Sequence, residues 1–274
     1  MVRRILIALG LILSAVSFVN AQDKSRFTLI VMDPLAAPLS CDCVKGYAQR
    51  DYKKLAAHLE KQLLQPIEVH FSESLTAGRA HLIIGKESVI RYQAKDNKLD
   101  VTPIASLTGK DGKTTMTGLF VIPKDDKALT LSDIKGYRIL FGPSYADEKH
   151  KAALELLRIF EVPAPKELET CNSCSVGATK VLDLHKNGEK AVTVISSYAE
   201  PLLEGCGTIK KGDLRIIGET DPMPFVVAFV SDQVFPRDRA LVQQALLSVG
   251  SDPALCTALE TKSGFVRFDG GKKK

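Results

Sequence analysis

Residues 137–160 read YRILFGPSYADEKHKAALELLRIF, and the fold is decided by how this run is parsed. Tyr137 to Phe141 is a short run, apolar but for Arg138, stopped by Gly142 as a strand is. Gly142-Pro143-Ser144-Tyr145 is a polar turn. Ala152, Ala153, Leu156, Leu157 and Phe160 then recur at the spacing of one helix face. Ser144 followed by Asp147 has the pattern of a capping box. Strand, turn and helix in that order make one repeat of an α/β layer.

The same alternation extends in both directions. Downstream, the proline-broken EVPAPKELE (161–169) leads to a helical pattern over 176–186. AVTVIS (191–196) reads as a strand, Tyr198 to Glu204 as a short helix, and LRIIGE (214–219) and FVVAFVS (225–231) as strands. Two helices follow; in the first, Leu241, Val242, Ala245, Leu246 and Val249 share a face. The second has Asp252 as N-cap and Pro253 as its first residue. Upstream, FTLIV (27–31), IEVHF (67–71) and HLIIG (81–85) read as strands. Ala48, Tyr52, Leu55, Leu59 and Leu63 mark a helix, and Ser88 to Gln93 a short one. TTMTGLFVIP (114–123) reads as one long extended segment, and PKDDKALTLSDIKG (123–136) as an inter-domain crossing with a small helix in it.

Alternating strands and helices imply sheets covered on both faces. The expected architecture is α/β with two lobes, each a mainly parallel sheet flanked by helices, joined by hinge crossings. Residues 22–123 plus 219–267 are assigned to lobe one, 124–218 to lobe two and 268–274 to a basic tail. Residues 1–21 read as a cleaved signal peptide: Arg3 and Arg4 precede an apolar run too short for a comfortable span, and small residues stand at the cleavage spacing. That predicts a periplasmic location. The formal charge of +5 comes from 37 basic and 32 acidic residues, partly in the Lys272–Lys274 tail. A mild positive balance suits a small anionic solute, and no basic, aromatic-interleaved stripe suggests a nucleic acid.

In open α/β sheets, ligands bind beyond the carboxyl ends of the strands. The loops there carry hydroxyls and helix starts, the donors an oxyanion needs. The candidate ligand-binding set is Ser88, Thr115, Thr117, Ser144, Tyr145, Ser173, Ser175, Ser197 and Tyr198. No paired-carboxylate or nucleophile–base signature marks an enzyme.

The segments YKKLAAHLEKQLLQPIEV, AHLIIGKESVI, TLSDIKGYRILFGPSYADEKH, VLDLHKNGEKAVTVISSY and LRIIGETDPMPFVVAFVSD occur in this order. Together, over about Phe27 to Val249, the chain resembles the type II periplasmic solute-binding proteins, specifically their phosphonate-binding (PhnD-like) branch. The resemblance implies a bilobed receptor, a monomer that closes by hinge motion on a phosphonate- or phosphate-like oxyanion. Such a receptor delivers to a membrane permease driven by a separate ATPase; no phosphate-cradling G-x-x-x-x-G-K-[ST] occurs in this chain itself. The family's hydroxyl-rich phosphonate loop corresponds to GPSYADEKH, where Ser144 survives and where Asp147 and Glu148 would repel an anion. A second family loop corresponds to CNSCS (171–175), with thiols in place of an imidazole.

Cys41 and Cys43 form a CxC on a Pro- and Ala-rich loop, and Cys171 and Cys174 a CxxC. If the resemblance holds, both pairs face the cleft. Three roles are open: disulfides, the default in an oxidising compartment; a Cu or Zn site, for which thiolates are suitable donors; and thiol redox chemistry at Cys174, near a helix start. The sequence points to no other cofactor. The alternative function is therefore a metal-handling or redox accessory protein. Cys256 lies on an apparent core face and Cys206 in a turn.

Overall fold

The computed structural model describes residues 26–40, 49–75 and 80–270. The signal segment, Cys41, Cys43 and the last four tail residues lie outside them. The first elements are β1 (Phe27–Met32), α1 (Tyr52–Leu63), β2 (Ile67–Phe71), β3 (Leu82–Lys86), α2 (Glu87–Asp96) and β4 (Val101–Leu107). A short β5 (Thr115–Met116) leads to β6 (Gly118–Pro123), β7 (Arg138–Phe141), α3 (Lys151–Ile159), β8 (Glu169–Thr170), α4 (Cys174–Lys186), β9 (Ala191–Ser196), α5 (Glu200–Gly205) and β10 (Leu214–Glu219). An equally short β11 (Met223–Pro224) leads back to β12 (Val226–Ser231), α6 (Pro236–Leu247), α7 (Pro253–Ala258) and β13 (Phe265–Arg267).

These strands form two sheets, ordered β13-β4-β12-β3-β1-β2 and β10-β6-β9-β7-β8. The crossings run side by side: β5 and β11 pair antiparallel, Met116 opposite Met223 and Thr115 opposite Pro224. β6 belongs to the second sheet, so the sheets part at Thr117 rather than at the expected 123. The expected crossing at 123–136 lies within the second lobe, where Ala128, Leu131 and Ile134 pack with Phe120 and Ile122. What reads as one extended run over 114–123 is a hinge strand followed by a core strand.

Neither sheet is mainly parallel. β2-β1-β3 and β9-β7-β8 are parallel, whereas β12 and β13 in the first sheet and β6 and β10 in the second make antiparallel ladders. The strands that leave and return through the hinge run against their neighbours. β3, β6, β9 and β12 are buried along their whole lengths, which is why they read as mostly apolar runs.

Alternation within the strands divides the cores. In the first lobe Leu29, Val31, Leu82, Ile84 and Val226 face one cluster, and Ile30, Met32, Ile83 and Val227 the other. In the second, Phe120 and Ile122 face away from Leu119 and Val121. The Asp252 cap expected from the sequence is present, its carboxylate accepting from Ala254 N and Leu255 N, and the Asp51 carboxylate likewise accepts from Lys53 N and Lys54 N. The expected Ser144–Asp147 capping box is absent. Ala146 precedes the single 3-10 turn at Asp147–Lys149 with no side-chain cap, and Ser144 is exposed.

Candidate functional site

Three buried charged side chains from two adjacent segments meet between the lobes. Lys86 ends β3 in the first lobe; Glu148 and Lys149 lie in the turn between β7 and α3 in the second. Lys86 is 6% exposed, Glu148 0% and Lys149 6%. Lys86 Nζ donates to Glu148 Oε1 at 2.6 Å, and Ser196 Oγ, at the end of β9, donates to the same oxygen at 2.6 Å. Among the described residues Glu148 Oε2 has no partner. Burial alone would raise the Glu148 carboxyl, but Lys86 and Lys149 beside it hold it below the usual range.

Two glycines make room for this turn. A Cβ on Gly118 of β6 would lie 2.0 Å from the Glu148 carbonyl oxygen, and one on Gly142 would lie 2.5 Å from Lys149 Cβ. Close backbone approach is a standard use of glycine. Lys149 Nζ donates to Cys174 Sγ at 3.5 Å, and that sulfur also accepts from Ser196 N at 3.4 Å. Burial works against the Lys149 ammonium, but Cys174 and Glu148 beside it push its pKa up. Cys174 opens α4, whose N-cap Ser173 accepts from Val176 N.

Next to this cluster is a cavity of about 350 Å³ walled by both lobes. Met32, Lys86 and Val89 line it from one side, and Tyr145, Lys149, Asn172, Ser173, Cys174 and Ser175 from the other. A second cavity, of about 650 Å³, lies against the hinge and is lined by Arg50, Lys113, Thr115, Thr117, Ser197, Glu219 and Phe225 among others. Leu35, Tyr198 and Leu202 line both. Tyr198 stacks on Phe225 with ring centroids 4.7 Å apart. Burial raises its hydroxyl well above 10, and Cys174 and Glu148 add to that, so the phenol remains a donor.

The nine expected ligand residues therefore divide. Tyr145, Ser173, Ser175 and Tyr198 line the smaller cavity; Thr115, Thr117, Ser197 and Tyr198 line the hinge-side one. Thr117 and Ser197 are occupied with structure: Thr117 N donates to Ser197 Oγ at 3.1 Å, and Thr117 Oγ1 to Glu219 at 2.7 Å. Ser88 is buried, its hydroxyl has no partner among the described residues, and it lines neither cavity, nor does exposed Ser144. Sequence reasoning missed Lys86, Lys149 and Ser196, and took Glu148 only as a repelling charge. The available signal was the lysine directly after the glycine that ends HLIIG; nothing in the spacing marked the Glu148-Lys149 pair.

Cys171 and Cys174 are free thiols, so of the three roles left open for the cysteines a disulfide at these two is not formed. They pack in different places, Cys171 with Leu140, Val181 and Leu184, and Cys174 beside Leu119, Ile195 and Leu203. Burial raises the Cys171 thiol. Among the described residues no group of three or more His, Cys, Asp or Glu side chains is placed to hold a metal, and no helix is long and apolar enough to cross a membrane.

Two α/β lobes, a paired-strand hinge and a cavity between them that carries a few polar groups define a periplasmic-type solute-binding protein. Residues 46–272 match the family described as ABC transporter, phosphonate, periplasmic substrate-binding protein, and the chain belongs to it. That is a family of solute receptors rather than of enzymes. The fold is similar to XAC2383 from Xanthomonas citri bound to ATP, with 18% identity, a TM-score of 0.64 and coverage of 89% of this chain and 92% of that one. PhnD1 from Prochlorococcus marinus in complex with methylphosphonate matches at 12% identity and TM-score 0.63, covering 88% and 92%. The aliphatic sulphonate binding protein SsuA from Escherichia coli matches at 13% and 0.58, covering 85% and 70%. No curated protein sequence matches the chain.

Proposed function

We propose that the protein captures a small oxyanion in the 350 Å³ cavity and passes it to a membrane permease driven by a separate ATPase. The observation that carries this reading is Lys149: a buried lysine that lines the cavity together with Ser173, Ser175, Tyr145 and Asn172. Its direct partner is a cysteine sulfur rather than a carboxylate. An oxyanion there would touch the second lobe through these donors and the first through Met32 and Val89. It would thus favour the closed arrangement by contacts the open one lacks. In this reading residues 1–21 direct export and are removed, and the protein acts as a monomer in the periplasm.

Isothermal titration of the mature protein with methanesulfonate, sulfate, phosphate and methylphosphonate tests this. At least one should bind, and Lys149→Gln should weaken that binding tenfold or more. Binding left unchanged by Lys149→Gln would move the site elsewhere.

A further inference from the structure

We propose that Glu148 sets the charge of the solute, selecting singly charged oxyanions over doubly charged ones. This rests on the oxyanion reading above and deepens it. Lys86 from one lobe and Ser196 from the other converge on one carboxylate oxygen, each at 2.6 Å. Donors converging from two lobes are what an anion bridging the cleft would need, and here the chain's own carboxylate takes them. Because Glu148 is tethered, it competes for Lys86 at an effective concentration of about millimolar or above.

The carboxylate is also held in place. The Glu148 backbone lies so close to Gly118 that a Cβ there would be 2.0 Å from its carbonyl oxygen, and the side chain is 0% exposed. Lys86 and Glu148 neutralise each other, so of the buried charges at this cavity Lys149 alone is left for a guest. Glu73 also lines the cavity but is exposed, where its charge is screened by solvent. One net buried positive charge matches one negative charge. A second would stand unpaired near the Glu148 carboxylate in a poorly solvated site, where repulsion is strongest.

Methylphosphonate and methanesulfonate have nearly the same shape and differ in charge, so they are the probes. Titrations run where the first is doubly and the second singly charged, on the wild type and on Glu148→Gln. The wild type should prefer methanesulfonate tenfold or more, and Glu148→Gln should shift the ratio at least tenfold towards methylphosphonate. If both anions bind and the substitution leaves the ratio unchanged, Glu148 does not set the charge, while the oxyanion reading stands. If neither binds to either protein, this proposal falls, and the oxyanion reading falls with it only where sulfate and phosphate also fail to bind. Should Glu148→Gln not fold, the wild-type preference decides alone: tighter binding of methylphosphonate overturns the proposal.

Discussion

At the scale of single residues, the Lys86–Glu148 pair is the most consequential contact between the lobes. Removing one partner of a buried pair leaves the other charge without compensation. Glu148→Ala and Lys86→Ala should each cost about 3–5 kcal/mol, while a Lys86→Met, Glu148→Leu double substitution should recover most of it; urea denaturation measures all three. The pair also fixes a pH dependence. The native Glu148 carboxyl is held below its ordinary 4.5, so the unfolded chain takes up the proton first as pH falls. Its stabilisation should be intact above 4.5 and lost on descending through the native pKa, a slope that Glu148→Gln should flatten in acid denaturation. None of this was legible in GPSYADEKH, because a charged residue in a polar turn ordinarily faces water. What buries it is a lysine 62 positions away in the chain, and spacing carries no sign of that.

At the scale of elements, the strands were legible wherever burial is complete, since β3, β6, β9 and β12 are mostly apolar along their lengths. Their direction was not, because a fully buried strand has the same pattern whichever way it runs. The hinge was misplaced by a few residues for a related reason: Thr114 to Pro123 is extended throughout, and only pairing separates β5 from β6. Caps behaved more simply. Asp252→Ala removes the acceptor for two free N–H groups at the start of α7 and should cost about 1 kcal/mol in thermal denaturation. Gly118→Ala belongs at this scale too, because it drives β6 against the turn carrying Glu148. Overpacking of that kind should cost about 1–3 kcal/mol and should weaken solute binding together with stability.

At the scale of the whole molecule, the lobes are joined by contacts of unequal weight. Arg91 donates to Asp147 across the cleft at 2.9 Å, but the Arg91 side chain is 57% exposed. Exposed pairs are worth about 0–1 kcal/mol and weaken with salt. Arg91→Ala and high salt should therefore leave the radius of gyration in small-angle scattering nearly unchanged, whereas Glu148→Ala should increase it. The two-lobe plan itself was legible from the order of the elements. The division of the space between the lobes was not, since it depends on one aromatic stack. Tyr198, Leu35 and Leu202 are a party wall: each has one surface in either chamber. A molecule lodged on the hinge side that displaced this wall would alter the grip on a tenant next door, and thermodynamic reciprocity would make the influence mutual.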